Sequence, residues 1–339
     1  MKTARRALFI PVLLCSLVSG RAAAPHSTDT RSLILVIGAA GTPEYAEQFT
    51  NWADLWTQAA LQGGLQTCVI GQQEQNPEDD LQRLLVAVTN EVNKSAGELW
   101  LVFVGHGTFD GQVAKFNLRG PDLSAEALAA ALKPCRRPLA IIQCASGSGA
   151  FLQKLSAPGR VIITATRSGY ELNATRFAGY LAKAMADPAA DLDKDGQVSL
   201  LEAYLQASRQ VAEFYKDQGR LMTEHSLLDD NGDGLGTPAD WFRGVRAVKS
   251  AAEGKAVDGV RAHQMFLVRS KQEQNLSPEL RARRDELEQW LSALRSRKAQ
   301  IQEGDYYRQL ELLLVETAKL YQSNQAPAPT QSTANPASP

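Results

Sequence analysis

The sequence predicts an α/β fold with a mostly parallel sheet and helices on both sides. Short continuous runs of Leu and β-branched residues alternate along the chain with stretches whose apolar residues recur every three or four positions, the order that produces parallel strands joined by helices. The 339 residues, 44% of them hydrophobic, can bury one large core and leave material for an appendage.

Leu33 to Ile37 is the first such run, ending at Gly38, and its lack of alternation fits a strand buried on both faces. Thr42 and Pro43 then supply a cap and a first helical position. Tyr45, Phe49, Trp52, Trp56 and Ala59 follow at helical spacing until Gly63 and Gly64 stop the pattern. A second strand is expected around Thr67 to Ile70, and Asn76 and Pro77 open a helix carrying Leu81, Leu84, Leu85, Val88 and Val92. Leu99 to Val104 is a third strand. Ser124 caps a helix with Leu128, Ala131 and Leu132, while Leu139 to Ile142 and Val161 to Thr164 are further strands before a helix near Ala174 to Met185. Ligands of such sheets bind beyond the carboxyl ends of the strands, which singles out the residues after Ile37, Val104 and Ile142.

Past Trp241 the pattern becomes a helical hairpin. Ser277 and Pro278 open a charged helix with Leu280, Leu287, Trp290 and Leu294; Gly304 interrupts it; Tyr307, Leu310, Leu314 and Leu320 mark a second helix. The hairpin is expected to pack on the body or on a protein partner. From Asn324 onward Pro, Ala, Ser, Thr, Gln and Asn predominate without large apolar residues, so a disordered tail is expected.

Thirty-six Lys and Arg against thirty-seven Asp and Glu leave a formal charge of -1, which argues against a nucleic-acid partner. The start has a basic Lys2, Arg5 and Arg6, an apolar Ala7 to Val18 and small residues at Ala22 to Ala24, the pattern of a signal peptide for a secreted or periplasmic protein. No later stretch is long and apolar enough for a membrane span. Cys68, Cys135 and Cys144 remain, an odd number for an oxidising compartment. Cys68 and Cys135 can pair and leave Cys144 free, and Cys144 is then the thiol expected to react with iodoacetamide.

Only His106 among the histidines directly follows a predicted strand, in Val104-Gly105-His106-Gly107, and only Cys144 among the cysteines does so, in Ile142-Gln143-Cys144-Ala145-Ser146-Gly147-Ser148. A thiol leading into a helix N-terminus with an imidazole nearby is the arrangement that lowers its pKa and makes it a nucleophile. Gly107 and the Ser146 to Gly149 stretch let backbone amides approach a substrate, as an oxyanion site requires.

These segments, Gly105-His106-Gly107 and Cys144-x-Ser146-Gly147-Ser148, resemble the legumain (asparaginyl endopeptidase) family of cysteine peptidases within the caspase-like superfamily, over about residues 32 to 186. The resemblance implies a caspase-like three-layer α/β/α sandwich that hydrolyses peptide bonds. Cys144 would be the nucleophile, His106 the general acid and base, and the amides of Gly107 and Cys144 the oxyanion donors; Thr164, Ala165 and Thr166 would wall the pocket for the residue before the cut. Where legumains carry an Asn and an Arg after the first strand, this chain reads Gly38-Ala39-Ala40-Gly41-Thr42-Pro43-Glu44-Tyr45-Ala46-Glu47, without a basic residue. A pocket lined by Glu44 or Glu47 would prefer a basic residue to Asn.

Asp191, Asp193, Asp195, Gly196, Gln197, Ser199 and Glu202 fall at positions 1, 3, 5, 6, 7, 9 and 12 of an EF-hand-type calcium loop. A weaker second loop begins 38 residues later, with Asp229, Asn231, Asp233, Gly234, the carbonyl of Leu235, Thr237 and Asp240. The spacing suits paired loops, with Val198 at their short strand contact, Leu200 to Tyr215 as the exit helix of the first, and calcium as a structural ion. The expected organisation is therefore a signal peptide over 1–24, a caspase-like peptidase domain over 25–186, an EF-hand-like calcium-binding segment over 187–245, a C-terminal region with the hairpin over 246–323, and the tail over 324–339. The function expected is that of an exported cysteine endopeptidase acting on a peptide or protein substrate. The alternative is a catalytically inactive caspase-fold scaffold that binds calcium and a partner.

Overall fold

The computed structural model describes residues 30–72, 80–94, 97–252 and 255–323. The expected signal peptide, the helix opening at Asn76 and Pro77, and the tail from Asn324 lie outside the described residues.

The chain begins β1 (Ser32–Ile37), α1 (Pro43–Gln62), β2 (Gln66–Ile70), α2 (Asp80–Val92) and β3 (Leu99–Val104). A small antiparallel sheet of β4 (Gly107–Phe109), β5 (Ala114–Phe116) and β6 (Leu123–Ser124) follows, then α3 (Ala125–Ala131), β7 (Leu139–Gln143), α4 (Gly149–Leu155), β8 (Arg160–Thr164) and α5 (Phe177–Ala184). Next come α6 (Leu200–Asp217), β9 (Leu227–Asp229), β10 (Thr237–Pro238) and a two-stranded ribbon of β11 (Phe242–Arg243) and β12 (Arg246–Ala247). The chain closes with α7 (Val260–His263), α8 (Lys271–Asn275), α9 (Pro278–Ser296) and α10 (Glu303–Ser323).

The main sheet has seven strands in the order β10-β9-β8-β7-β3-β1-β2. The five from β2 to β8 are parallel; β9 runs antiparallel to β8, and β10 antiparallel to β9. This is a mixed α/β architecture with a mostly parallel central sheet. Alternation in the strands divides the core into two layers. Leu33, Leu35 and Ile37 face one apolar layer with Trp56 of α1, Leu181 of α5 and Tyr204 of α6, while Ile34 and Val36 face the other with Leu84 of α2, Leu128 of α3 and Leu152 of α4.

Local chemistry sets the helix ends. The Thr42 side chain accepts from the Tyr45 amide with Pro43 in the first turn, and Ser124 accepts from the Ala127 amide. The helix expected near Ala174 begins only at Phe177, because the Glu224 carboxylate accepts the amides of Arg176 and Phe177 and fixes the first turn there. Thr175 is meanwhile tied to the Cys144 carbonyl.

The segment 187–245 does not stand apart from the sheet: β9 and β10 extend it beyond β8. Ser277 caps α9 and Pro278 opens it as expected, but the hairpin turns through Arg297 and a short 3-10 stretch at Lys298–Gln300, leaving Gly304 inside the first turn of α10. Leu276, Leu287 and Leu320 form its apolar centre, and buried Arg284 binds Glu273 and Asp285 beside it. No described helix is long and apolar enough to cross a membrane.

Candidate functional site

The sheet order reverses at β1, which lies between β2 and β3, and the carboxyl ends there form the crevice where α/β sheets take ligands. His106 sits in it. Its ring lies edge-on to Tyr45, with centroids 4.5 Å apart, and to Phe49 at 5.0 Å, and it hydrogen-bonds the Ala40 carbonyl after β1. Burial pulls its pKa below the ordinary 6.5, with the Ala40 bond opposing. Cys144 leaves β7, which pairs with β3 in parallel, so both residues depart neighbouring strands at the same edge. The sequence predicts this much.

The environment of the sulfur differs from that of a poised nucleophile. Cys144 is 1% exposed and packs in the apolar layer that holds Ile142, Ala165 and Phe177. Burial, aided by the Glu224 charge, pushes the thiol far above its ordinary 9.0, away from the thiolate that nucleophilic attack needs. Both expected oxyanion donors are engaged as well. The Cys144 amide donates to the Phe103 carbonyl at 3.0 Å, continuing the β3–β7 ladder, and the Gly107 amide donates to Ser146 Oγ at 3.2 Å while that hydroxyl donates to the Gly107 carbonyl. Gly107 admits no side chain, since a Cβ there would meet the Ser146 carbonyl oxygen at 2.5 Å.

The residues expected to wall a substrate pocket divide. Thr164 and Thr166 are buried and spend their hydroxyls internally: Thr164 Oγ1 donates to the Thr166 carbonyl, and Thr166 Oγ1 bonds Ser148 Oγ and accepts from the Gly149 amide. Glu44 and Glu47 are exposed on the first turns of α1, where Glu44 is held below its usual carboxylate range by the helix-start amide and Thr42. Ala165 lines a cavity of about 830 Å³ bounded by Arg167, Phe177, Leu205, His225 and Trp241 among others. Cys68 and Cys135, which the sequence allowed to pair, do not: all three described thiols are free, with Cys68 exposed, Cys135 half-buried and Cys144 buried. Iodoacetamide should therefore find Cys68 first, the reverse of the sequence-based expectation.

The two acidic loops also part company. In the first, carboxylate oxygens of Asp191, Asp193 and Asp195 lie within 4.8 Å of one another, and Gly196 takes φ 89, the left-handed turn that such a loop needs. Glu202 is the far half of a capping box, accepting from Ser199 and from the amides of Leu192 and Asp193, and its carboxylate also lies within 4.8 Å of ligand atoms of Asp193 and His263. The Gln197 side chain accepts from the Ser270 amide and donates to Asp195 within the loop, while the expected ligand atom is its backbone carbonyl. His263, 70 residues on, brings Nε2 to 3.0 Å from Asp193 Oδ2. The strand contact made beside Val198 is between Ser199 and Phe266, not with the second loop.

That second loop is the turn joining β9 to β10. Asp229 accepts from the Gly232 and Gly234 amides, Asn231 from that of Asp233, and Asp233 from that of Leu235, a set of local turn bonds. Its carboxylates do not gather as those of the first loop do, Leu235 is partly exposed, and Asp240 lies in a 3-10 turn at Ala239–Trp241 lining the cavity. Sheet pairing takes both flanks of this second loop, where a paired module would need helices, whereas the first loop keeps α6 as its exit helix.

No protein-family model matches this chain, and no curated protein is similar to it. Among solved structures the chain is similar to caspase-1 from Spodoptera frugiperda, at 10% identity and a TM-score of 0.41 over 60% of this chain and 87% of that one. It is likewise similar to the Drosophila initiator caspase Dronc, at 15% identity and a TM-score of 0.41 over 60% and 81%. At such values no residue role passes from them to this chain.

The sequence gives little notice of the cavity's polar corner. His225 Nδ1 lies 2.5 Å from Glu171 Oε1, and Glu171 Oε2 accepts the amides of Arg167 and His225. The adjacent Glu224 is buried on the α5 N-terminus, its pKa raised by burial against the amide bonds it accepts. The Glu224-His225 doublet was the available signal, but it follows no strand.

Proposed function

We propose that this chain is an exported, calcium-stabilised binding protein on a fold of the cysteine-peptidase type, which holds a peptide or protein partner without cleaving it through Cys144. The observation that carries this is the burial of the Cys144 sulfur, with its own amide committed to the sheet. The cavity beyond β8, mostly apolar with His225 and Arg167 at its edge, has the volume and lining of a site for apolar side chains of a bound segment. Export rests on the basic and apolar opening of the sequence.

Calcium suits the first loop because hard carboxylate oxygens of Asp191, Asp193 and Asp195 converge there around a left-handed glycine. When bound, the divalent ion would offset two of the three negative charges gathered there. Calcium should raise the melting temperature and chelation lower it, and identical melts in both conditions would remove the metal from the account.

A second reading, a legumain-like cysteine endopeptidase, is favoured by the departure of His106 and Cys144 from adjacent parallel strands at one edge. It requires a conformation in which residues 144–148 swing outward. A positional peptide library presented with calcium to the wild type and to Cys144→Ala separates the two. Binding by both without turnover supports the scaffold; cleavage that Cys144→Ala abolishes supports the peptidase.

A further inference from the structure

Donor atoms of two kinds meet where the first acidic loop touches α7. His263 Nε2 lies 3.0 Å from Asp193 Oδ2, and ligand atoms of Asp193, Glu202 and His263 all lie within 4.8 Å of one another. The imidazole is foreign to the loop: it arrives from 70 residues further along the chain, and the calcium-loop pattern has no position for it. A simple ion pair would need only one carboxylate, and at this half-exposed position it would contribute little.

Backbone bonding fixes each of the three residues. Buried Asp230 accepts the amides of Gly259 and Ala262 and so anchors α7. Just beyond His263 the Met265 carbonyl accepts the Leu200 amide at 2.7 Å, and Phe266 bridges to Ser199, which seats His263 beside the start of α6. Glu202 lies in the first turn of that helix and is locked there by its capping box. Asp193 uses Oδ1 to accept the Asp195 amide inside the loop and turns Oδ2 to the imidazole. An ion therefore meets ligands that folding has gathered, which removes most of the ordering cost of binding.

Donor chemistry selects the ion. Calcium takes oxygen ligands, whereas imidazole suits zinc and its transition-series neighbours. Zinc bonds of about 2.0–2.2 Å in a tetrahedral set put neighbouring donors about 3.4 Å apart, so the His263–Asp193 pair has nearly the required spacing and Glu202 closes by about 1.4 Å at most. The longest of the four bonds that Glu202 accepts, from the Asp193 amide at 3.3 Å, is the one such an ion would replace. Asp193 and His263 also line a cavity of about 550 Å³, which gives an ion its entry and leaves room for water in the fourth position.

We propose that Asp193, Glu202 and His263 form a zinc site that differs in donor set from the calcium loop and shares Asp193 with it. Zinc draws the Asp193 carboxylate toward α7, and calcium draws it toward Asp191 and Asp195, so the two ions compete. The zinc site stands on its own geometry; the competition rests on the calcium reading.

The chain from residue 25 onward is titrated with zinc chloride by calorimetry, in a Cys68→Ser background so that the exposed thiol takes no part. A single zinc per chain is expected. His263→Ala should weaken binding at least about a hundredfold, the upper end of what losing a partner outside the ligand shell brings, with an unchanged circular dichroism spectrum. His263→Gln retains a hydrogen bond to Asp193 but offers zinc only a carboxamide, and should lose affinity likewise. Zinc binding that ignores both substitutions would assign the ion to the acidic loop alone and overturn the site, as would no zinc binding at all. Calcium at ten times its own Kd should raise the apparent zinc Kd about tenfold. Calcium that raises the melting temperature yet leaves zinc binding unchanged would overturn the shared role of Asp193. Should calcium leave the melting temperature unchanged, the calcium reading fails, and His263-dependent zinc binding would still support the zinc site.

Discussion

Replacing Cys144 by serine distinguishes a core residue from a cleft residue by stability alone. The sulfur lies among Ile142, Ala165 and Phe177 with about 1% of the residue exposed, and the carbonyls around it already accept, that of Gln143 from the Ala165 amide and that of Cys144 from Thr175. Cys144→Ala removes one buried heavy atom, a loss of about 1 kcal/mol. Cys144→Ser loses the same apolar burial and adds a hydroxyl with no ready acceptor, a further ~1–3 kcal/mol. Urea unfolding of the wild type and both variants, followed by circular dichroism, should therefore rank wild type above Ala above Ser, with Ser about 2–4 kcal/mol below wild type. Equal stability of the Ser and Ala variants would mean that the hydroxyl reaches water and that position 144 faces the cleft.

Three further outcomes follow from charged groups. Asp258 and Asp230 clasp each other's loops, Asp258 accepting the Asp230 and Asn231 amides and Asp230 accepting those of Gly259 and Ala262. Burial and the Asp230 charge raise the Asp258 pKa from 3.8 to about 7, so the folded state holds a proton that the unfolded chain releases; stability should be full in acid and decline as pH rises through about 7, which thermal melts across that range would reveal. Arg284→Ala leaves the buried Glu273 carboxylate without its cation and should cost about 3–5 kcal/mol locally, seen as faster limited proteolysis of α9 and α10 while the sheet domain survives. Asp193→Asn should abolish the calcium-dependent rise in melting temperature, measured as the difference between the calcium-supplied and chelated melts of that variant, and persistence of the full rise would remove Asp193 from the ion's ligands.

The strands that were legible in the sequence are those buried on both faces. Leu33 to Ile37, Leu99 to Val104 and Leu139 to Ile142 stand out because a central parallel strand has no polar side. The helix α1 was legible through Thr42, Pro43 and its aromatic spacing. β9 and β10 were not, since Leu227-Leu228-Asp229 is short and merges into an acidic run that also spells a metal loop. The face taken by Cys144 follows the alternation of its strand, with Ala140, Ile142 and Cys144 in one layer and Ile141 in the other. The adjacency of His106 and Cys144 at the sheet edge was readable; the cover that Ala165 and Phe177 place over the sulfur was not, because it depends on distant segments packing there.

Rates of alkylation by iodoacetamide, measured thiol by thiol in the native calcium-loaded protein, probe the burial of Cys144 most directly. Exposed Cys68 should react freely, whereas Cys144 must wait for unfolding; with at least about 5 kcal/mol of stability its rate falls by more than about three orders of magnitude relative to the denatured chain. Alkylation of Cys144 within about tenfold of Cys68, without denaturant, would mean that the sulfur is open to solvent and would restore the dyad with His106 as the working site.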